Sequence, residues 1–372
     1  MPIDNPICTK KGMGSSMGPS RSGGIMKAFQ LLGGSIDVDA TTALNQVPQP
    51  DPGPGQVLVR IGGAGACHSD VSLMEFSAGA RRDVPMTLGH ENAGWIEAFG
   101  PGTLPTPGLE IGSPVAVYGA WGCGQCSNCR KGMENYCPNG VGSGPGLSVD
   151  GGMAEYLLVP AARYLVPLGD MAPVVAAPLT DAGLTPYHAI KRSLHLLVPG
   201  SHVVVIGAGG LGHLAVQFLK ALSPATVISV DTRESALALA AEVGADHTVL
   251  SGPDAATEIR SIMGGRGAEL VLDICGYDDT LALASAVASS LGHLTVVGVG
   301  GGTLPFNFFT MPYECCVAST YWGSITELGE LLELAHTGGF TVHATQVSLD
   351  DAASVYRSMI GGTLQGRAVI VP

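Results

Sequence analysis

Charged residues are scarce in this chain, at 13%, and aromatic ones scarcer still, at 5%. The shortage falls hardest on basic groups: 18 Lys and Arg against 31 Asp and Glu leave a formal net charge of −13. A nucleic-acid surface needs a basic stripe to neutralise phosphates, and this chain has none, which excludes nucleic acid as a partner. Its one local excess of positive charge, Lys10, Lys11 and Arg21, reads as a solvated tail. The first 25 residues lack the apolar segment of a secretory signal. A membrane span is missing too. The longest charge-free stretch, residues 280–313, is interrupted by Gly292, Gly298, Gly300, Gly301, Gly302 and Pro305, and reads as buried strands and turns. A cytoplasmic location without membrane partners is the expectation. There is no internal repeat. Apolar residues are abundant, at 46% of 372, enough for two domains with sizeable cores.

Residues 1–25 are rich in Gly, Ser and Met and read as a flexible extension. Residues 26–182 read as short strands split by Gly/Pro turns, for example 56–61 and 115–118, with helical character from 182 to 193. After Pro199-Gly200 the pattern changes. Strands at 202–206, 226–230 and 270–274 alternate with helical stretches at 212–222 and 233–243, which predicts a parallel, doubly wound α/β sheet over roughly 183–320. The tail, 321–372, reads as one helix (326–337) and a final strand (367–371).

The run at 202–206 leads into Gly207-Ala208-Gly209-Gly210-Leu211-Gly212 and then a helix. A lone G-x-G-x-x-G is weak, but here it has the strand before and the helix after that a dinucleotide site requires. Gly207 would make the tight turn, Gly209 would let the backbone approach a pyrophosphate, and Gly212 would allow close helix–strand packing. Phosphates would meet the free N–H groups of the helix start. Asp231, nineteen residues past Gly212, would accept the ribose hydroxyls and repel a 2′-phosphate. That favours NAD, while Arg233 keeps NADP open.

Four cysteines, Cys123, Cys126, Cys129 and Cys137, follow C-x2-C-x2-C-x7-C. That spacing suits a closed, structural Zn²⁺ site, since four thiolates leave no place for substrate. An iron–sulfur cluster shares the opening C-x2-C-x2-C, but the fourth spacing and the neighbouring fingerprint argue for zinc. Three further groups lie scattered: CHSD at 67–70, which reads as following a glycine-rich turn, GHE at 89–91, and Asp181. Taken singly, each has an ordinary reading as a buried Cys, a hydrogen-bonded His or a helix cap, and spacing alone does not join them.

Taken together, CHSD, GHE, the cysteine lobe, GAGGLG and Gly366-Arg367 resemble the zinc-containing medium-chain alcohol dehydrogenases over residues 26–372. Residues 117–119, 178–188 and 321–323 resemble most closely the bacterial secondary-alcohol members. The resemblance implies a GroES-like β domain over 26–182, a Rossmann domain over 183–320 and a C-terminal return to the first domain. It implies two zinc ions per chain. Cys67, His90 and Asp181 would hold a catalytic one, with Asp181 where many relatives have a second cysteine. A carboxylate is the harder ligand there and loosens zinc retention. Asp70 resembles the carboxylate that orients the ligand imidazole, and Glu91 the glutamate behind the metal. Ser69 would take the first proton. Ser72 stands where many relatives finish the proton relay with histidine, so the relay ends elsewhere. His68 and Arg367 resemble cofactor phosphate contacts, and Thr185 would pack near the nicotinamide. Tyr321 and Trp322 suit either a substrate pocket or core.

The implied reaction is hydride transfer between a small neutral alcohol or ketone and NAD, in a homodimer or homotetramer. Three other readings share parts of the pattern. A polyol or sugar-alcohol dehydrogenase is compatible with a carboxylate at position 181. A zinc-free quinone reductase is opposed by both metal patterns. A non-catalytic zinc- and nucleotide-binding protein would have no need of Ser69 beside Cys67.

Overall fold

A computed structural model describes residues 24–33, 35, 37–76, 85–139 and 144–372. Of the expected extension over 1–25, only Gly24 and Ile25 fall within the described residues, and Ile25 already opens the strand Ile25–Leu31. Among the described residues no helix is long and apolar enough to cross a membrane.

The second half of the chain builds a six-stranded, all-parallel sheet. Its first strand in sequence, His202–Ile206, lies at the centre, with Thr226–Asp231 and then His247–Leu250 on one side. Ala268–Asp273, Ala288–Val296 and Cys316–Ser319 follow on the other. The order is therefore third, second, first, fourth, fifth, sixth, and its reversal beside the first strand opens a crevice at the carboxyl ends. Val203, Val204 and Val205 are all fully buried, as expected of a strand covered by helices on both faces. The helix Gly212–Leu222 leaves the crevice directly after the glycine-rich turn.

The first half builds a mixed sheet ordered Ala344–Ser348, Arg367–Val371, Val57–Gly65, Glu91–Phe99, Pro114–Val117, Leu165–Pro167. Tyr156–Val159 also pairs with Val57–Gly65. The last strand of the chain thus lies beside one of the earliest, Val369 and Ile370 opposite Gly65 and Ala64.

Three details depart from the sequence reading. The glycines before CHSD belong to no turn: Gly62, Gly63 and Gly65 lie inside the strand Val57–Gly65. A side chain at Gly65 would begin only 1.9 Å from the Glu91 carboxylate, so its smallness makes room for a neighbour. Within the β-rich half, CHSD opens a nine-residue helix, His68–Phe76. The tail holds two helices and two strands, not one of each. Ala344–Ser348 is largely exposed and carries no apolar alternation. Ala352–Ile360 buries Ala352, Val355, Tyr356 and Met359 at helical spacing, a legible signal that the reading passed over.

Candidate active site

Three separate chain segments deliver the scattered groups to one place. Cys67 ends the approach to the helix His68–Phe76, His90 precedes the strand Glu91–Phe99, and Asp181 follows the single turn Ala177–Thr180. The donor atoms of Cys67, His90, Glu91 and Asp181 all lie within 4.8 Å of one another. Asp181 Oδ2 is 3.9 Å from Cys67 Sγ and 3.2 Å from His90 Nε2. A thiol, an imidazole and a carboxylate converging in a buried recess form a donor set that fits Zn²⁺.

The ring of His90 is held from behind. Its Nδ1 lies 3.1 Å from Asp70 Oδ1, which turns Nε2 toward Cys67 and Asp181. Asp70 Oδ2 accepts from the Cys67 N–H at 3.1 Å and from the Tyr356 hydroxyl at 2.7 Å. Tyr356 belongs to no motif and lies on the helix the sequence reading missed. Burial alone would lower the His90 pKa; the Asp70 charge and the hydrogen bonds to Asp181 and Asp70 outweigh it and hold it well above the ordinary value. Burial would raise Asp181, but the hydrogen bond from His90 and that ring's charge take it below the usual carboxylate range. Thr185, expected beside the nicotinamide, gives its hydroxyl to Asp181 Oδ1 at 2.8 Å.

Glu91 lies behind the set, fully buried, with one oxygen paired to the Arg367 guanidinium. Its Oε1 has no hydrogen-bond partner among the described residues. Burial lifts its pKa above the ordinary carboxylate range while Arg367 opposes the shift. Ser69 is half-buried, its Oγ 3.7 Å from Cys67 Sγ. His68 projects outward, its pKa lowered by partial desolvation and then by Arg367 and Arg233.

The glycine-rich turn stands across from this set. Gly207 has φ +98°, and a side chain at Gly212 would meet the Gly207 carbonyl oxygen at 1.9 Å. Leu211 immediately precedes the helix Gly212–Leu222. A side chain on Gly210 would start 2.8 Å from the Arg367 side chain, so Arg367 touches both this turn and Glu91. Asp231 accepts the Ala208 N–H at 2.8 Å on one oxygen; on the other it accepts Arg233 N–H at 3.0 Å and Nε–H at 3.3 Å. A small cleft there is lined by Ala208, Gly209, Arg233, Ala236 and Gly366.

Cys123, Cys126, Cys129 and Cys137 form the second donor cluster, all free thiols, again within 4.8 Å of one another. Cys123 and Cys129 sulfurs are 4.0 Å apart, and Cys126 and Cys137 sulfurs 3.8 Å. Backbone N–H groups of Cys126, Cys129 and Cys123 point at Cys123, Cys126 and Cys137 sulfurs respectively. Such donors favour thiolates; those of Gln125 and Cys126 bring Cys123 down to about 6. Of the aromatic pair, Trp322 is buried with its ring centroid 6.1 Å from that of His90, edge on, and Tyr321 is partly exposed 5.6 Å from Trp322.

A nucleotide-type crevice facing a thiol–imidazole–carboxylate set, with a four-cysteine lobe alongside, defines a zinc-binding dehydrogenase. Residues 53–170 match the alcohol dehydrogenase GroES-like domain, and residues 210–337 the zinc-binding dehydrogenase domain. The chain is 36% identical over 361 residues to an NAD-dependent alcohol dehydrogenase of Sulfurisphaera tokodaii, covering 93% of this chain and all of that one. A D-arabinose 1-dehydrogenase (NADP(+)) of Saccharolobus solfataricus is 34% identical over 337 residues, covering 89% and 94%. The crystal structure of the Aeropyrum pernix alcohol dehydrogenase superposes with a TM-score of 0.85 at 36% identity, over 93% of this chain and all of that one. The chain belongs to the zinc-containing alcohol dehydrogenase family.

Proposed function

We propose that this enzyme interconverts small neutral secondary alcohols and ketones, with NAD as hydride acceptor or donor. The observation that carries the reading is the meeting of Cys67, His90 and Asp181 next to Arg367, which reaches the glycine-rich turn. Cys67, His90 and Asp181 would hold a catalytic zinc; Cys123, Cys126, Cys129 and Cys137 would hold a structural one. Zinc, when bound, supplies Lewis acidity that brings an alcohol's pKa toward neutrality. NAD supplies the redox chemistry.

The chain's own residues do the rest. Ser69, half-buried beside Cys67, receives the hydroxyl proton and hands it on toward solvent water. Asp70 and Tyr356 fix which His90 nitrogen faces the metal position. Arg367 and His68 contact the cofactor phosphates, and Asp231 the adenosine ribose. Gly207, Gly209, Gly210 and Gly212 shape the turn, and Leu211 leads from it into the helix Gly212–Leu222. Tyr321 and Trp322 line the substrate side and offer no charged anchor, which favours an uncharged alcohol.

The D-arabinose relative and the carboxylate at Asp181 favour a sugar substrate as the second reading. We further propose the domain division 26–182, 183–320 and 321–372, and a cytoplasmic location. A dimer or tetramer is supported by the edge strand Cys316–Ser319 with exposed Phe308, Phe309 and Tyr313 nearby, a face open to a second copy.

Zinc per chain by elemental analysis, paired with NAD reduction on butan-2-ol, sorbitol and D-arabinose, tests the reading. Two zincs and turnover on butan-2-ol support it. Preference for the polyol or sugar selects the second reading. No turnover on any of them, unrestored by added zinc, overturns both.

A further inference from the structure

The metal and cofactor reading uses Asp181 and, in the helix Leu184–Lys191 just after it, Thr185, but leaves His188 of that helix without a role. His188 is buried and hydrogen-bonded at both ring nitrogens. Its Nδ1 lies 2.8 Å from the Glu327 carboxylate and its Nε2 2.9 Å from the Tyr136 hydroxyl. The carboxylate can only accept, so Nδ1 carries a proton, and in the neutral ring Nε2 accepts from the Tyr136 hydroxyl. Glu327 also accepts the Ser324 N–H at 2.8 Å. Tyr136 therefore reaches, through His188 and Glu327, the backbone just after Gly323.

A second line runs from the same lobe. Asn135 Nδ2 donates to the Tyr321 carbonyl at 2.9 Å. Asn135 and Tyr136 are the two residues before Cys137, so closing the loop around its four sulfurs fixes both. Between these anchors the chain takes an unfavourable turn: Trp322 has φ +53°, a left-handed conformation that a bulky residue holds only when its surroundings over-determine it. Those surroundings are present. Trp322 Nε1 donates to the Thr180 carbonyl at 3.0 Å, and the Tyr118 hydroxyl donates to the Gly323 carbonyl at 2.7 Å. Gly119 leaves space for the Trp322 ring, since a side chain there would meet it at 2.3 Å.

We infer that the four-cysteine lobe, through Asn135 and the Tyr136–His188–Glu327 chain, positions the Tyr321–Trp322 wall beside the metal set and so sets which substituents the substrate carbon can carry. Asn135, Tyr136 and His188 are positioning residues. Their hydrogen bonds described above run to neither the proposed ligands of the catalytic metal nor the glycine-rich turn. Releasing them moves the wall while leaving ligands and cofactor site in place. The inference rests on the proposed alcohol chemistry of the site.

The test uses full-length, zinc-replete enzyme and the variants Tyr136→Phe, Asn135→Asp, His188→Leu and His188→Gln. Kinetic constants are measured for propan-2-ol, for the bulkier 4-phenylbutan-2-ol and for NAD. Zinc per chain and hydrogen–deuterium exchange across residues 318–324 are followed in parallel. Tyr136→Phe and Asn135→Asp are expected to change the ratio of kcat/KM for the two alcohols at least fivefold, mainly through KM. The KM for NAD and the zinc content should stay at wild-type values, and exchange over 318–324 should accelerate. His188→Leu should do the same, and His188→Gln, which keeps a donor and an acceptor, should restore much of the ratio. An unchanged ratio with faster exchange, or a parallel loss of turnover on both alcohols, overturns the inference and leaves these residues as scaffold. Wild-type enzyme inactive on both alcohols would instead fail the functional reading beneath it.

Discussion

The two oxygens of Asp181 have different partners. One faces Cys67 and His90, the other takes the Thr185 hydroxyl, so the carboxylate is oriented before any ligand arrives. Asp181→Ala is expected to remove one zinc per chain and lower turnover at least ~100-fold, while sparing the four-cysteine metal and the fold. A variant active with both metals, by elemental analysis and assay, would remove Asp181 from the ligand set. Tyr356 acts one step further out. Tyr356→Phe takes one of the hydrogen bonds from Asp70 and should weaken zinc retention about 10- to 100-fold in competition with a chelator. At the cofactor end, Arg233 neutralises part of the Asp231 charge that would repel a 2′-phosphate. Asp231→Ala with Arg233 kept should shift the ratio of kcat/KM for NADP over NAD upward by roughly tenfold or more, the scale of about 1.4 kcal/mol from one charge contact. An unchanged ratio would move cofactor discrimination elsewhere.

Among the elements, the strand Val57–Gly65 shows how closely fold and site are joined. Gly65→Ala would drive its side chain into Glu91, and a melting experiment should show destabilisation of about 1–3 kcal/mol together with weakened Glu91–Arg367 pairing. A wild-type melting curve would mean that Glu91 can move freely. The same strand marks the limit of what the sequence discloses. The central parallel strands, the helix Gly212–Leu222 and the turn before it were legible because burial on both faces writes continuous apolar runs and the turn requires glycine. The glycines at 62, 63 and 65 were misread as a turn, since glycine that admits a neighbour looks the same as glycine that bends a chain. The cysteine lobe was legible from spacing within fifteen residues. The other donor set was not, because Cys67, His90 and Asp181 are joined only by tertiary packing, and a family resemblance had to supply the link. What Tyr356, Asn135 and His188 hold in place was invisible for the same reason: each is hydrogen-bonded to a partner far away in sequence.

For the molecule as a whole, acid should be destabilising through a particular interior group. His213, in the first turn after the glycine-rich loop, is fully buried, with Nε2 lacking a partner among the described residues. Burial lowers its pKa to about 4 from 6.5, against the Gly209 hydrogen bond. The unfolded chain therefore binds this proton first, and stability is lost as pH falls from 6.5 toward 4, by about 3 kcal/mol at most. Denaturant midpoints measured between pH 8 and 4.5 should fall in wild type and fall less steeply in His213→Gln. Equal slopes would assign the acid sensitivity to other groups.

The spread of the proposed metal ligands along the chain would also order events during synthesis. The four-cysteine lobe is complete once residue 137 has left the ribosome, and the proposed structural zinc could bind it on the nascent chain. The other set must wait for Asp181, and its backing for Arg367, which pairs with a glutamate 276 positions earlier. If both proposed sites take zinc, a chain released prematurely between these points would carry the first metal and lack the finished second site, and metal stoichiometry would record how far translation and folding had gone.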